Sequence, residues 1–281
     1  MRNKAFLLGI VFVIANINVY SQDKVLFYKC PPEAIEINIK INKEVYLPYE
    51  PILAEIGIKN ISDVPQQLGS LDFFSLNLRY QILKDSSLIE RYFLWKESNS
   101  SGWFITRKTA TQPNEIKKEQ ILLNHYLNLK GLKGEYIFET GYPIQGEVRK
   151  GVVGVVGYKT EKKSIKIKEV PAKDTAALKL FEPNFNKLMD GLNFSKKELE
   201  GDSVVFAFNK IIELYPSSYL TEPASFYKAF YFLQKYTLSN DIEDIRKADK
   251  LFLGFINKYP DTVFKGLVTE YLKACKAILE N

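Results

Sequence analysis

The side chains that could carry out chemistry are few in this chain of 281 residues. It contains one histidine, His125, and two cysteines, Cys30 and Cys275. A catalytic triad or dyad that needs histidine can use only His125, and neither a multi-histidine metal site nor a cysteine-rich zinc site has enough ligands. We therefore predict no catalytic residues, no metal site and no cofactor, which makes a non-enzymatic protein the leading interpretation.

An aromatic group is the main candidate binding site. Tyr92, Trp95, Trp103 and Phe104 flank a polar segment at 96–102 that is rich in serine and asparagine, and both tryptophans of the chain lie here. Aromatic side chains stack on sugar rings and concentrate binding energy at protein interfaces. The group therefore predicts a site for a protein partner or a glycan, with packing in the protein core as the alternative.

Two other patterns favour structural roles. Gly151, Gly154 and Gly157 are spaced by three, but no Lys-Ser/Thr pair and no helix start follows them, so a phosphate-binding loop is disfavoured and a strand with bulges or tight turns is predicted. Five lysines at 159, 162, 163, 166 and 168 suit protection of an edge strand, with an acidic glycan or a membrane surface as the alternative contact. A hydrolase that uses only carboxylates, such as Glu97 with Asp72, also remains an alternative.

The N-terminus is typical of an export signal. Arg2 and Lys4 precede an apolar run, and residues 19–21 form a plausible cleavage site, so residues 1–21 are predicted to be a signal peptide cleaved near Ser21. Two asparagines interrupt the run too early for a membrane span, so we expect a periplasmic or extracellular protein and not an integral membrane protein. The net charge of +6 is too small to indicate a nucleic-acid partner.

From Ile35 to Ile167 the chain alternates apolar and polar side chains with period two. Ile35, Ile37 and Ile39 begin the pattern, and turn signals separate the apolar segments without helical stretches between them. Such spacing favours an antiparallel β-sandwich of seven to nine strands.

This half resembles the immunoglobulin-like domains of exported bacterial proteins. The likeness rests on the extended segment and Glu-Pro turn at 45–51, the strand at 52–60 and the Asn-x-Ser turn that begins at Asn60. Tyr49 occupies a position where glycine is usual in that family. The resemblance implies a structural scaffold and identifies no functional residue.

Residues 171–281 change to helical periodicity and contain an internal repeat of 44 positions. Val204, Phe208 and Ile211 correspond to Ala248, Phe252 and Phe255, and the Tyr-Pro pairs at 215–216 and 259–260 also correspond. Each apolar stripe requires a partner helix, and each proline ends a helix before it, so helical hairpins are predicted. The Tyr-Pro corners resemble those of tetratricopeptide-like repeats, which implies a scaffold that binds peptides or protein segments.

The sequence thus predicts a signal peptide, an immunoglobulin-like sandwich at 22–170 and a tetratricopeptide-like helical domain at 171–281. We expect a non-catalytic binding or scaffolding protein of the cell envelope with a protein partner. Carbohydrate binding and protease inhibition are the alternatives. The sequence leaves open which domain binds and whether Cys30 and Cys275 pair.

Overall fold

The structure is a computed structural model that describes residues 31–69, 79–84, 87–92, 108–125, 132–149, 152–193 and 203–280. The chain forms two compact units. One is built from β-strands, and its described residues lie within 31–46 and 52–168. The other is helical, and it combines the residues from 169 onward with the short segment Leu47–Pro51.

The β unit contains ten strands in its described residues. They are β1 (Ile35–Ile41), β2 (Val45–Tyr46), β3 (Leu53–Asn60), β4 (Gln66–Gly69), β5 (Arg79–Lys84), β6 (Ser87–Tyr92), β7 (Lys108–Thr111), β8 (Ile116–Leu122), β9 (Gly134–Arg149) and β10 (Val152–Ile167). They form a three-stranded sheet in the order β1-β3-β8, a five-stranded sheet in the order β2-β10-β9-β5-β6, and the pair β4-β7.

The two larger sheets share one hydrophobic core. Ile35, Ile37 and Ile39 of β1 are buried while the residues between them are exposed, which is the alternation predicted from the sequence. The core also contains residues of both sheets, among them Ile56 of β3 and Phe138 of β9. Each such side chain contributes about 1.5–3 kcal/mol when it is fully buried, so this shared core holds the β unit together.

Pairing within the sheets is antiparallel with one exception among the described strands. β2 pairs with the end of β10 in parallel, with Val45 opposite Lys166. The expectation of a purely antiparallel arrangement is therefore wrong at this point. The ten described strands also exceed the seven to nine predicted.

Gly154 and Gly157 lie on β10, which contains bulges, while Gly151 lies outside the described residues. β9 and β10 form a long hairpin in which the register shifts between Val152 and Val153 and again between Val155 and Gly157. The prediction of a strand with bulges is confirmed.

The side chain of Asn60, the last residue of β3, holds the turn that follows this strand. Its buried amide nitrogen Nδ2 donates to the carbonyl oxygens of Val64 (2.8 Å) and Thr111 (2.9 Å). Its Oδ1 accepts from the backbone N–H (3.0 Å) and the hydroxyl (2.7 Å) of Ser62. Because a single side chain satisfies four partners, this position is specific for asparagine.

The helical unit contains five α-helices in its described residues. They are α1 (Thr175–Asn193), α2 (Ser203–Leu214), α3 (Thr221–Ser239), α4 (Ile242–Lys258) and α5 (Lys265–Leu279). Consecutive helices pack against each other in chain order. Strands followed by helices, as the sequence predicts, are thus observed. Among the described residues, no helix combines the length and the apolar character that crossing a membrane requires.

The 44-position repeat extends to individual hydrogen bonds at the two Tyr-Pro corners. The hydroxyl of Ser218 accepts from the N–H of Leu220 at 3.2 Å, and that of Thr262 accepts from the N–H of Phe264 at 3.1 Å. Leu220 and Phe264 directly precede α3 and α5. The hydroxyls thus hold equivalent N–H groups at the start of each second helix.

Leu47–Pro51 belongs to the helical unit through an aromatic contact. Tyr49 has a φ of 63°, in the left-handed region, and its ring is buried against Phe181 and Phe185 of α1. The hydroxyl of Tyr219 donates to the carbonyl oxygen of Pro48 at 2.8 Å. Tyr49 therefore adopts the conformation that glycine favours, and the packing of its ring explains why a large residue is present.

Candidate functional site

The aromatic residues singled out in the sequence lie largely outside the described residues. Trp95, Trp103 and Phe104 lie in the undescribed range 93–107. Tyr92 is the last residue of β6, where it pairs with Tyr80 of β5. Binding by this group therefore stays a prediction.

The remaining sequence candidates lie mostly outside the described residues. His125 ends a short 3₁₀ turn, Leu123–His125. Glu97 and Asp72 lie outside the described residues, as do the signal peptide and Cys30. Within the described ranges no group of three or more His, Cys, Asp and Glu side chains is arranged to hold a metal ion.

Cys275 lies on α5 with a buried thiol. Burial raises the pKa of this thiol to about 12, and the nearby carboxylate of Asp249 adds to the effect. Since the thiolate is the nucleophilic form, Cys275 has the properties of a packing residue and not of a reactive one.

Two of the β10 lysines form ion pairs across the hairpin. Lys162 lies 3.1 Å from a carboxylate oxygen of Glu139, and Lys166 lies 2.9 Å from one of Glu135. In both cases the two residues are directly opposite each other in the β9–β10 register. Both lysines therefore form ion pairs within the hairpin, a role that the sequence did not predict. These ion pairs leave less positive charge for an acidic ligand.

An open groove on the helical unit is the strongest candidate site. Its volume is about 320 Å³. It lies between α2, α3 and α4, and its lining consists of Val205, Phe206, Asn209, Phe232, Lys235 and Lys247. A site formed by three helices is held in shape by the packing of those helices, so its side chains have a defined arrangement.

Phe206 dominates the apolar part of the groove. Its side chain is 60% exposed, although α2 buries Val204, Ala207, Phe208 and Ile211 on its other side. Lys210, one turn further along α2, places its ammonium group 4.5 Å from the centre of the Phe206 ring. A large exposed aromatic side chain in a groove is a common feature of binding sites.

Lysines provide the polar part of the groove. The ammonium group of Lys247 lies 5.5 Å from the centre of the Phe232 ring. Lys235 lies 3.6 Å from a carboxylate oxygen of Asp244, whose side chain is only 2% exposed. The ion pair with the buried carboxylate of Asp244 fixes the position of the Lys235 ammonium group at this end of the groove.

The sequence analysis did not select this groove. The repeat highlights the buried stripe of α2, and Phe206 lies off that stripe. Its counterpart 44 positions later is Lys250, so Phe206 is absent from the repeated pattern. An aromatic residue on the polar side of an amphipathic helix was the available signal, but Phe232, Lys235 and Lys247 come from α3 and α4.

Comparisons with known proteins leave the family open. No protein-family model and no curated protein sequence matches this chain. Among solved structures, the sporulation control protein Spo0M from Bacillus subtilis is similar over 53% of this chain, with 16% identity and a TM-score of 0.31. The similarity covers 55% of the Spo0M chain, so it spans about half the length of that protein.

A second similarity is to the CARDB domain of a Pyrococcus furiosus protein, solved in complex with di-metal ions. It covers 48% of this chain and 94% of that domain, with 10% identity and a TM-score of 0.26. Likenesses at this level assign neither a family nor an activity.

Proposed function

We propose that this protein is a non-catalytic, exported binding protein of the cell envelope, and that its helical unit holds a segment of a partner protein. The groove between α2, α3 and α4 carries this proposal, because it combines an exposed aromatic side chain with ordered cationic groups. Fixed apolar anchors with charged surroundings are typical of sites that bind protein segments.

Two further observations support the domain types that we propose for the two units. The equivalent hydroxyl hydrogen bonds at Ser218 and Thr262 favour a tetratricopeptide-like array of two hairpins, α2–α3 and α4–α5. The shared core of two sheets and the Asn60 turn favour an immunoglobulin-like β unit. Both kinds of domain serve recognition in many proteins, although fold alone does not define function.

The proposal is tested by affinity capture with the mature chain, residues 22–281. The wild-type protein, Phe206→Ser and Leu214→Ser are immobilised and incubated with an envelope extract of the source organism. Leu214 is the matched control, because it is equally exposed on the same helix but does not line the groove. We expect one protein to bind wild type and Leu214→Ser and to be lost with Phe206→Ser.

The captured protein is then purified and its binding to each variant is measured by calorimetry. Direct binding with the same dependence on Phe206 supports the proposal. If no protein binds directly, or if the mature chain is retained on a glycan or hydrolyses one, the proposal is wrong.

A further inference from the structure

The charges around the groove differ in how accessible they are. Two ammonium groups line it, those of Lys235 and Lys247, and the ammonium group of Lys210 lies over the ring of Phe206. Asp244 pairs with Lys235, but its carboxylate is buried and also accepts a hydrogen bond from Ser239 at 3.3 Å. Within the described part of the chain no carboxylate forms an ion pair with Lys210 or Lys247. An occupant of the groove therefore meets positive charge at its border.

The positive groups lie next to apolar surface. Lys210 is held over the ring of Phe206, and Lys247 over the ring of Phe232. A segment bound in the groove must therefore contact both the ammonium groups and the aromatic rings, which lie within a few ångströms of each other. A carboxylate alone leaves the Phe206 ring in water, and an apolar side chain alone leaves Lys247 without a counter-charge.

The size of the groove limits what can enter it. A volume of about 320 Å³ lies at the low end of the roughly 300–1,000 Å³ range of ligand sites. Because the groove is open to solvent, a short chain segment can enter it from the side. One apolar side chain between acidic neighbours fits both the space and the charge.

We infer that the groove binds a short acidic segment of the partner, with an aromatic or aliphatic side chain against Phe206 and flanking carboxylates near Lys235 and Lys247. This inference rests on the proposed function and specifies the chemistry of the partner. Charge complementarity at the border sets the preference for acidic sequences, and contact with the Phe206 ring supplies the anchor.

The test uses three fluorescent peptides and the full mature chain. The first peptide alternates glutamate with leucine and phenylalanine, the second has lysine at every glutamate position, and the third has serine at every apolar position. Fluorescence anisotropy measures their binding. We expect the first peptide to bind and the other two to bind at least about tenfold more weakly, since each lacks one of the two required contacts.

Variants separate the groove from the overall charge of the protein. Phe206→Ser is expected to weaken binding of the first peptide about tenfold, and Lys247→Gln about threefold to fivefold. Lys250→Gln makes the same change in charge one turn along α4, at an exposed position that does not line the groove, and should leave binding unchanged. Both groove residues that are changed are exposed, so the variants should fold, which circular dichroism checks.

Several outcomes would overturn the inference. Equal binding of the acidic and basic peptides, or equal weakening by Lys247→Gln and Lys250→Gln, would show that the groove does not select acidic segments. Binding of the serine peptide as tight as that of the first would show attraction by charge alone. If none of the peptides binds while a captured envelope protein still binds directly, the inference is wrong and the proposed function stands. If neither the peptides nor any envelope protein binds, the inference and the proposed function are both wrong.

Discussion

The ring of Tyr49 meets the ring of Phe185 edge-on, with 5.3 Å between the ring centres, while the backbone of Tyr49 has a φ of 63°. A left-handed backbone costs a residue with a side chain roughly 1–2 kcal/mol. Burial of a large aromatic ring offsets this cost. Leu47–Pro51 is thus held in the helical unit by an aromatic anchor on a strained residue.

Replacing this anchor should destabilise the helical unit. We predict that Tyr49→Gly lowers its free energy of unfolding by about 2–3 kcal/mol, because the loss of the ring outweighs the release of backbone strain. Urea unfolding followed by the helical circular dichroism signal measures the change. Asn114→Gly is the control, since Asn114 has a φ of 64° but an exposed side chain, and it should change stability by less than about 1 kcal/mol. A stabilised Tyr49→Gly protein would contradict the role of the ring.

Gly254 offers a stabilising substitution. It lies within α4, and a β-carbon added there meets no atom within 4 Å. Gly254→Ala should therefore raise the stability of the helical unit by about 0.5–1 kcal/mol, since alanine restricts the unfolded chain and favours the helix. Urea unfolding measures the change, which should be a higher midpoint with an unchanged slope of the unfolding free energy against urea concentration. A lower midpoint would show that the glycine has a packing or functional role, and peptide binding by the variant would then be examined.

Asn60 should be among the most sensitive positions of the β unit. Asn60→Ala removes four hydrogen bonds and leaves two carbonyl oxygens, those of Val64 and Thr111, without this donor, with an expected cost of about 2–4 kcal/mol. Asn60→Asp keeps acceptors for Ser62 but loses both donors, so it should also destabilise the unit near neutral pH. Unfolding followed by tryptophan fluorescence measures both variants. Wild-type stability of Asn60→Asp would show that the two donated hydrogen bonds contribute little.

Alkaline pH should unfold the helical unit. Burial raises the pKa of the Tyr227 phenol well above its usual value near 10. Between the unfolded and folded pKa values the unfolded state has released this proton and the folded state has not, so stability falls as pH rises above about 10, by about 1.4 kcal/mol per pH unit for this group. Below that pH the group has no such effect.

The contribution of Tyr227 can be isolated by mutation. Between about pH 10 and pH 11, the loss of stability in Tyr227→Phe should be smaller than in wild type by about 1.4 kcal/mol per pH unit, the effect of one proton. Tyr236→Phe changes a more exposed phenol on the same helix and is the matched control. Urea unfolding at a series of pH values, followed by helical circular dichroism, provides the slopes. Equal slopes for Tyr227→Phe and wild type would contradict the assignment.

The thiol of Cys275 should report on opening of the helical unit. In a Cys30→Ser chain it is the remaining thiol, and its burial predicts alkylation at neutral pH at least about 100-fold slower than in urea. The rate of iodoacetamide labelling, followed by mass spectrometry, measures this difference. Rapid labelling of the native chain would show that α5 opens readily or that the thiol is accessible.

The order of strands and helices follows from the amino-acid pattern alone, because both kinds of element depend on local periodicity. Alternation at Ile35, Ile37 and Ile39 predicts one buried face of a strand, and the Tyr-Pro pairs predict where helices end. The bulges near Gly154 could also be predicted, since glycine affects the conformation of the local backbone. These features require no information about distant residues.

Contacts between residues that are distant in the chain depend on how the elements pack in three dimensions. Tyr49 lies more than 130 residues from Phe181 and Phe185 in the chain, and no periodicity links them. Likewise the groove joins Phe206, Lys235 and Lys247 from three helices. Burial and charge at such places depend on how the helices pack, and the packing energy is shared among many side chains. The candidate site could therefore be located only once those helices were placed against each other.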